Sequence, residues 1–597
     1  MYYIFLKFTK ILLMKLFNLR YILKKLILSV LTISLFLTCS SESSTTADNN
    51  VYIDPGAATT GNGTSSSPYK SWSSVTFIAG KSYLQKRGTV AREQITVNAS
   101  GKAGSPIVIG AYGSGALPVI LGSEIETGWT LESGNIYSKQ MSLDSLGMVT
   151  QDGIVLSRLI WNTNVATTFA TGLAGSFTFN PSDNKVYARC TDNANPNTHT
   201  IEVSRRYYGI NGVHVSYVRI ENIEIRNVSL HGIQFEDSSF IDVSGCEIKN
   251  LGGAYFVGSG LYAGNGIEFG NQSTDCSVAN TTVENIFDSG VSPQTYDSNT
   301  NAARFVFSGL TISKCGFAGI EVAVLNTGGT INSSIDGVTI SDSIISECGK
   351  GYSGIRYGNE GRGIKIKGDG GTLEVKNIIV NNCIIRDGET HGIAVEGKSL
   401  NVSVNRCTIS GNKKDGILAQ SIDRVNLSVN SSVITGNATG GSAYGITMNL
   451  SESGSSLLLI HNTFYENTSC EFTILGYAGS AITMKNNLFH TSGSIPHIYS
   501  AIAFPAGSSV TNNWFKEFSN MISYNGTSCN NVANFETACT YATANIGGTD
   551  PSMDTTTFRL TATTSPCYQK GVGGTGVTTD RSGASFANPP SIGAFEY

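Results

Sequence analysis

The chain has 597 residues, only 14% of them charged, and a formal net charge of -4. An average soluble domain carries about 25% charge, so this balance argues against a helical cytosolic enzyme, and the absence of a basic stripe excludes nucleic acid as the expected partner. With 67 glycines and abundant Ser, Thr and Asn, the composition fits a turn-dense, β-rich protein that works outside the cytoplasm.

The N-terminus reads as a targeting segment. Lys15, Arg20, Lys24 and Lys25 precede the apolar run Leu26 to Leu37, which is too short to span a bilayer comfortably. Residues 1–38 are therefore expected to be a signal peptide. The following Thr38-Cys39-Ser40 resembles the end of a bacterial lipoprotein signal, which implies lipidation at Cys39, with ordinary secretion as the alternative. Residues 39–50 then form a polar tether. The expected protein is exported and touches the membrane through its lipid alone.

From residue 232 a short phrase recurs: glycine, aliphatic, one variable residue, then another apolar residue in most copies. Its glycines are Gly232, Gly266, Gly290, Gly319, Gly363, Gly392, Gly416 and Gly445, spaced by 34, 24, 29, 44, 29, 24 and 29 residues. Periods of this size mark a solenoid. Ahead of and between the phrases run segments of alternating polarity such as Val218 to Ile225, Leu373 to Ile378 and Leu400 to Val404. Alternation rich in Val and Ile predicts strands with one face inward, and no convincing helical period interrupts them. One coil of parallel strands per repeat is a parallel β-helix.

Cysteines occupy positions of this repeat. Cys246, Cys383 and Cys407 share one register with Thr281, Ser343, Ser432 and Thr463. Cys315 and Cys348 share a second with Asn250, Asn285, Asp387, Asn412, Asn437 and Asn467. Small residues exchanging at one position predict inward stacks of free thiols and a ladder of stacked amides. Cys529 and Cys539 lie outside the repeat and are the expected disulfide.

These repeats, with Tyr52 to Gly56, Gly61 to Tyr69, the β-rich stretch from Gly128-Trp129 to Arg189, and the closing Ser591 to Tyr597, resemble the right-handed parallel β-helix family often called pectate-lyase-like. The resemblance covers residues 51–597 and speaks for fold more than activity. It implies N-terminal coils and a cap over 51–125, a small β insertion over 126–205, regular coils over 206–490, and final coils with a tail over 491–597.

The variable residue of the phrase should point outward. Its column reads Gln234, Glu268, Ser292, Glu321, Lys365, Ala394, Leu418, Thr447, and the next outward column contains Glu236, Gly270, Gln294, Ala323 and Lys367. Charge thus gathers between Gln234 and Lys367. Two long insertions flank it, Leu251 to Asn265 with Tyr262, and Gly349 to Arg362 with Tyr352, Arg356 and Arg362. Aromatics beside cations suit a polysaccharide with acidic groups, and loops on a rigid scaffold are where binding residues collect.

Three readings follow. In the leading one a monomeric polysaccharide lyase removes a proton beside a uronate carboxylate, with Lys365 as base and Lys367, Arg356 or Arg362 neutralising charge. Family resemblance adds Ca²⁺ held by Glu268 with Glu236 or Glu321, although no tight Asp cluster is present. In the second, Glu268 and Glu321, two coils and about 9–10 Å apart, form an inverting glycosidase pair. In the third the rod only binds glycan or serves as a structural surface protein, and Glu321 with Lys365 is an exposed ion pair worth at most about 1 kcal/mol. His231 and His391 read as turn residues.

Overall fold

Each coil alternates short inward-facing strands with turns, and successive coils pair in register along three faces. The computed structural model describes residues 49–597 except 144, 171–172, 257–260, 330, 352–359, 422, 442, 451, 453, 478–480 and 494. Residues Asn50–Tyr597 form one compact unit. Three sheets of 15, 14 and 14 strands run its length, as a parallel β-helix requires. The phrase strands, among them His231–Glu236, Ile267–Gly270, Ser289–Thr295, Ala318–Val324 and Arg362–Gly368, all lie in one of the 14-stranded sheets. In that sheet Gln234 pairs with Glu268, Glu268 with Ser292, Glu321 with Lys365, and Lys365 with Ala394.

The aliphatic of each phrase is fully buried: Ile233, Ile267, Val291, Ile320, Ile364, Ile393, Ile417 and Ile446 all show no exposure. The glycine ahead of it is there for close approach. A Cβ at Gly266 would lie 2.4 Å from the Gly290 carbonyl oxygen, at Gly290 2.6 Å from that of Gly319, and at Gly363 2.5 Å from that of Gly392. Each of these glycines admits the carbonyl of the next glycine, so any side chain there pushes two coils apart.

The turn registers differ from the sequence reading by one residue. Asn250, Asn285 and Asp387 occupy left-handed backbone positions, with φ of 54°, 59° and 60°. Asn412, Asn437 and Asn467 follow such a position and point inward. Asn412 donates to Asn437 at 2.8 Å and Asn437 to Asn467 at 2.9 Å. Cys315 and Cys348 share this inward position and are buried free thiols. In the other register Asn462, not Thr463, continues the column, and it opens a second ladder, Asn462 to Asn487 to Asn513 to Asn545. A polar residue that tolerates the left-handed conformation and one that stacks its amide look alike in sequence.

Cys529 and Cys539 are not a disulfide. Both are free and fully buried, packed in the core with Phe535, and together they close the last coil hydrophobically.

The insertion forms two small sheets, one of four and one of five strands, around its own core of Trp129, Phe177, Phe179 and Val186. Arg158 joins it to the coils. Its guanidinium donates to the carbonyls of Leu146 and Gly147 and lies over the rings of Tyr262 and Phe287. At the other end the tail returns along the coils, where Arg581 donates to Asn382 and Thr408, and the Ala594 amide to Thr463.

Gly290→Ala forces a Cβ onto the Gly319 carbonyl, an overpacking worth about 1–3 kcal/mol. The expected result is a lower urea midpoint than wild type by far-ultraviolet circular dichroism.

Candidate functional site

Along the coils from Tyr208 to Lys365 the outward face of the phrase sheet is walled rather than open. A cavity of about 540 Å³ is lined by Tyr208, His231, Gln234, Asn265, Glu268, Asp288, Gln294, Tyr296, Phe317, Glu321, Leu325 and Lys365, among others. The floor is the column of variable phrase residues. The walls come from the turns ahead of each phrase and from the segments after the strands.

Glu268 is 4% exposed and its carboxylate is held from both sides. Gln234 Nε2 donates to Oε1 at 3.0 Å and Asn265 Nδ2 to Oε2 at 2.6 Å. His231 Nδ1 lies 3.5 Å from Oε2, but it also accepts the Asn265 backbone N–H at 3.0 Å. That bond assigns the His231 proton to Nε2. The imidazole stacks on Tyr208, with ring centroids 6.0 Å apart.

Glu321, 3% exposed, receives Ser289 Oγ at 3.1 Å and Gln294 Nε2 at 2.9 Å on Oε2. Lys365 Nζ stands 3.5 Å from its Oε1 and 4.1 Å from the centre of the Phe317 ring. Burial holds the Lys365 amine below its ordinary pKa, against the opposing pull of the Glu321 carboxylate. The expected exposed pair is thus a buried one, because Phe317 and the cavity walls cover it. Breaking a buried pair costs about 3–5 kcal/mol rather than the fraction expected at a surface.

Tyr296 reaches the floor through a missing side chain. A Cβ on Gly270 would lie 3.0 Å from the Tyr296 hydroxyl. Asn271 Oδ1 accepts the amides of Tyr296 and Asp297, and its Nδ2 donates to Glu236 and Asp297 at 2.9 Å each. Burial, then the charges of Glu268 and Glu236, push the phenols of both Tyr208 and Tyr296 up, so they stay protonated.

Of the residues expected from sequence, Gln234, Glu268, Glu321 and Lys365 meet in this cavity. Lys367 does not: it pairs with Asp369 at 2.7 Å and lines a neighbouring cleft of about 470 Å³ with Glu396, Gln420 and Asp423. Arg362 is buried between Glu360 and Glu396. Tyr262 packs against Tyr255 and Phe287 under Arg158 instead of lining the cavity. Tyr352 and Arg356 lie outside the described residues, as does Cys39. Glu236 is engaged by Asn271, and both Glu268 oxygens by amides. Among the described residues no third acidic or imidazole ligand joins them. This donor set does not fit Ca²⁺, which wants six to eight oxygens.

Sequence reasoning missed Tyr208, His231, Asn265, Asp288, Tyr296 and Phe317. His231 is no plain turn residue: it begins a strand and is buried against the carboxylate. A signal for several of these was present, since His231 and Asn265 directly precede phrase glycines and Asp288 and Phe317 stand two before them. The same position holds Ser289, and farther along His391 and Asp415, whose side chains pair at 3.0 Å.

Residues 265–452 match the family model of the right handed beta helix region. Among solved structures, the complex of XylC with xylose superposes with a TM-score of 0.55 at 13% identity, covering 92% of this chain and 98% of that one. Pectate lyase Pel9A gives a TM-score of 0.42 at 15% identity, covering 92% and 96%. A glycoside hydrolase gives 0.39 at 11%, covering 85% and 97%. No curated protein matches the chain in sequence. The chain has the right-handed parallel β-helix fold. At 13% identity the likeness to the XylC structure speaks for the fold alone.

Glu321→Gln removes the charge that props up the Lys365 pKa, so that pKa falls further. The pH dependence of Lys365 acylation, followed by peptide mass spectrometry, should shift to lower pH; an unchanged profile contradicts the pairing.

Proposed function

We propose that the cavity binds a segment of an acidic polysaccharide and cleaves it by β-elimination. The observation that carries this reading is Lys365: buried, held toward its neutral form, and set in the floor of a cavity whose volume of about 540 Å³ leaves room for a sugar ring. A neutral amine can accept the proton beside a uronate carboxylate. The C–H electrons then form the double bond as the bond to the leaving glycosidic oxygen breaks. Tyr208, kept protonated by burial and by Glu268, is the group suited to return a proton to that oxygen. The Nε2–H of His231 supplies a donor for the substrate carboxylate, a task expected from sequence of Lys367, Arg356 or Arg362. Glu321 orients Lys365 through its own bonds to Ser289 and Gln294. The xylose in the XylC complex is in keeping with a sugar occupant.

A second reading keeps Glu268 and Glu321 as a hydrolytic pair, favoured by their shared burial in one cavity. It is the weaker one, because such a pair needs one protonated acid. Here the oxygens of both carboxylates are occupied by amide, hydroxyl and amine donors.

Incubation with a panel of uronic polysaccharides should give unsaturated products detected by ultraviolet absorbance. Lys365→Ala should lower the rate about 10²–10⁴-fold, the usual worth of a general base. Activity retained in Lys365→Ala removes this assignment, new reducing ends without absorbance favour the glutamate pair, and binding without product leaves a glycan-binding rod. Activity should rise with pH through the lowered Lys365 pKa, where the base form appears.

We further propose that the protein is exported and anchored through a lipid on Cys39. Metabolic labelling with a fatty acid should mark the wild type, and Cys39→Ser should abolish the label and release the protein from the membrane fraction.

A further inference from the structure

A second group of chemically competent side chains lies in the insertion, apart from the cavity. The strand Lys185–Arg189 runs into Cys190-Thr191-Asp192, and the chain returns through His199 to the strand Ile201–Ser204. The thiol of Cys190, a carboxylate oxygen of Asp192 and a ring nitrogen of His199 all lie within 4.8 Å of one another. Among the described residues no other trio of such ligands comes together. We propose that Cys190, Asp192 and His199 bind a divalent transition-metal ion, with zinc the best match to one sulfur, one oxygen and one nitrogen donor.

The surroundings prepare each donor. His199 Nδ1 stands 2.8 Å from Asp152 Oδ2, so a neutral His199 keeps its proton on this nitrogen and its lone pair on Nε2. The longer 3.3 Å contact of Gln151 Nε2 with the same nitrogen does not compete with a charged acceptor. His199 Nε2 is buried, makes no hydrogen bond, and lies 3.2 Å from Asp192 Oδ2. Bonds of about 2.0–2.2 Å at tetrahedral angles put ligand atoms roughly 3.3–3.5 Å apart, so this spacing suits a shared ion. A carboxylate behind a ligating imidazole is the usual device for fixing tautomer and ring orientation.

The backbone is held with equal care. Asp152 sits in a left-handed conformation at φ 51°, and its other oxygen accepts the Thr200 amide at 2.9 Å. Gln151 Oε1 accepts the Thr191 amide at 2.8 Å. Asp192 Oδ1 accepts the Ala194 amide at 3.0 Å, which leaves Oδ2 toward His199. Cys190 is fully buried whereas Asp192 is half exposed, so an ion enters from the Asp192 side and keeps one coordination position toward solvent. On binding, the Cys190 thiol releases its proton to solvent.

The competing arrangement is a protonated His199 bridging Asp152 and Asp192, in which Cys190 has no part. Titration of the chelator-treated full chain with Zn²⁺ separates the two. One equivalent should bind, and Co²⁺ should give a thiolate charge-transfer band that Cys190→Ser abolishes. His199→Ala should lose the site, and Asp152→Asn should weaken it about 10–100-fold. Asp192→Asn, at an exposed side chain, provides the variant least able to disturb folding and should also lower affinity. No metal uptake, or uptake unchanged in Cys190→Ser and His199→Ala, overturns the proposal.

Discussion

The outward face of this protein depends on how closely its coils stack at the glycine column. A glycine carbonyl sits where the Cβ of the glycine in the preceding coil would be, at 2.4–2.7 Å along most of the column. No L side chain fits there, so the phrase sheet is held in one register with the spacing of about 4.8 Å that parallel pairing sets. Fixed register is what converts a repeated residue into a column. It brings Gln234 over Glu268 and Glu321 over Lys365 without a loop to arrange them.

A column of charge on an open face would be a solvated stripe. Here the turns ahead of the phrases and the segments after the strands close over part of it. The consequence is electrostatic more than steric. Once covered, Glu268 and Glu321 require donors, and Gln234, Asn265, Ser289 and Gln294 provide them. Lys365 is pushed toward neutrality by burial, against the pull of the Glu321 carboxylate. A buried polar network has to be satisfied nearly in full to persist, and this one is. Farther along, the same column reads Ala394, Leu418 and Thr447 and carries no charge of its own.

The insertion obeys a different logic. It has its own apolar core and is joined to the coils through Arg158. Its strained turn at Asp152 and the grouped donors around His199 belong to that small unit, so its chemistry does not rest on the glycine column.

The period of the phrase, the alternation between phrases and the inward cysteines were enough to define a parallel β-helix. They followed from side-chain periodicity, which each strand writes locally. The column of Gln234, Glu268, Glu321 and Lys365 was legible for the same reason. What misled was anything one residue out of phase, as with Asn250 against Asn412, because a left-handed turn residue and an inward ladder residue are both asparagine. Cys529 and Cys539 invited a disulfide because spacing says nothing about which thiols a core absorbs. Sequence alone determined the solenoid and the address of the cavity on it. Only the tertiary structure decided which side chains enter, placing His231, Asn265, Tyr208 and Tyr296 there and tying Arg362 and Lys367 to other acids. Burial and pairing depend on loops brought together from different coils, and no local pattern records that meeting.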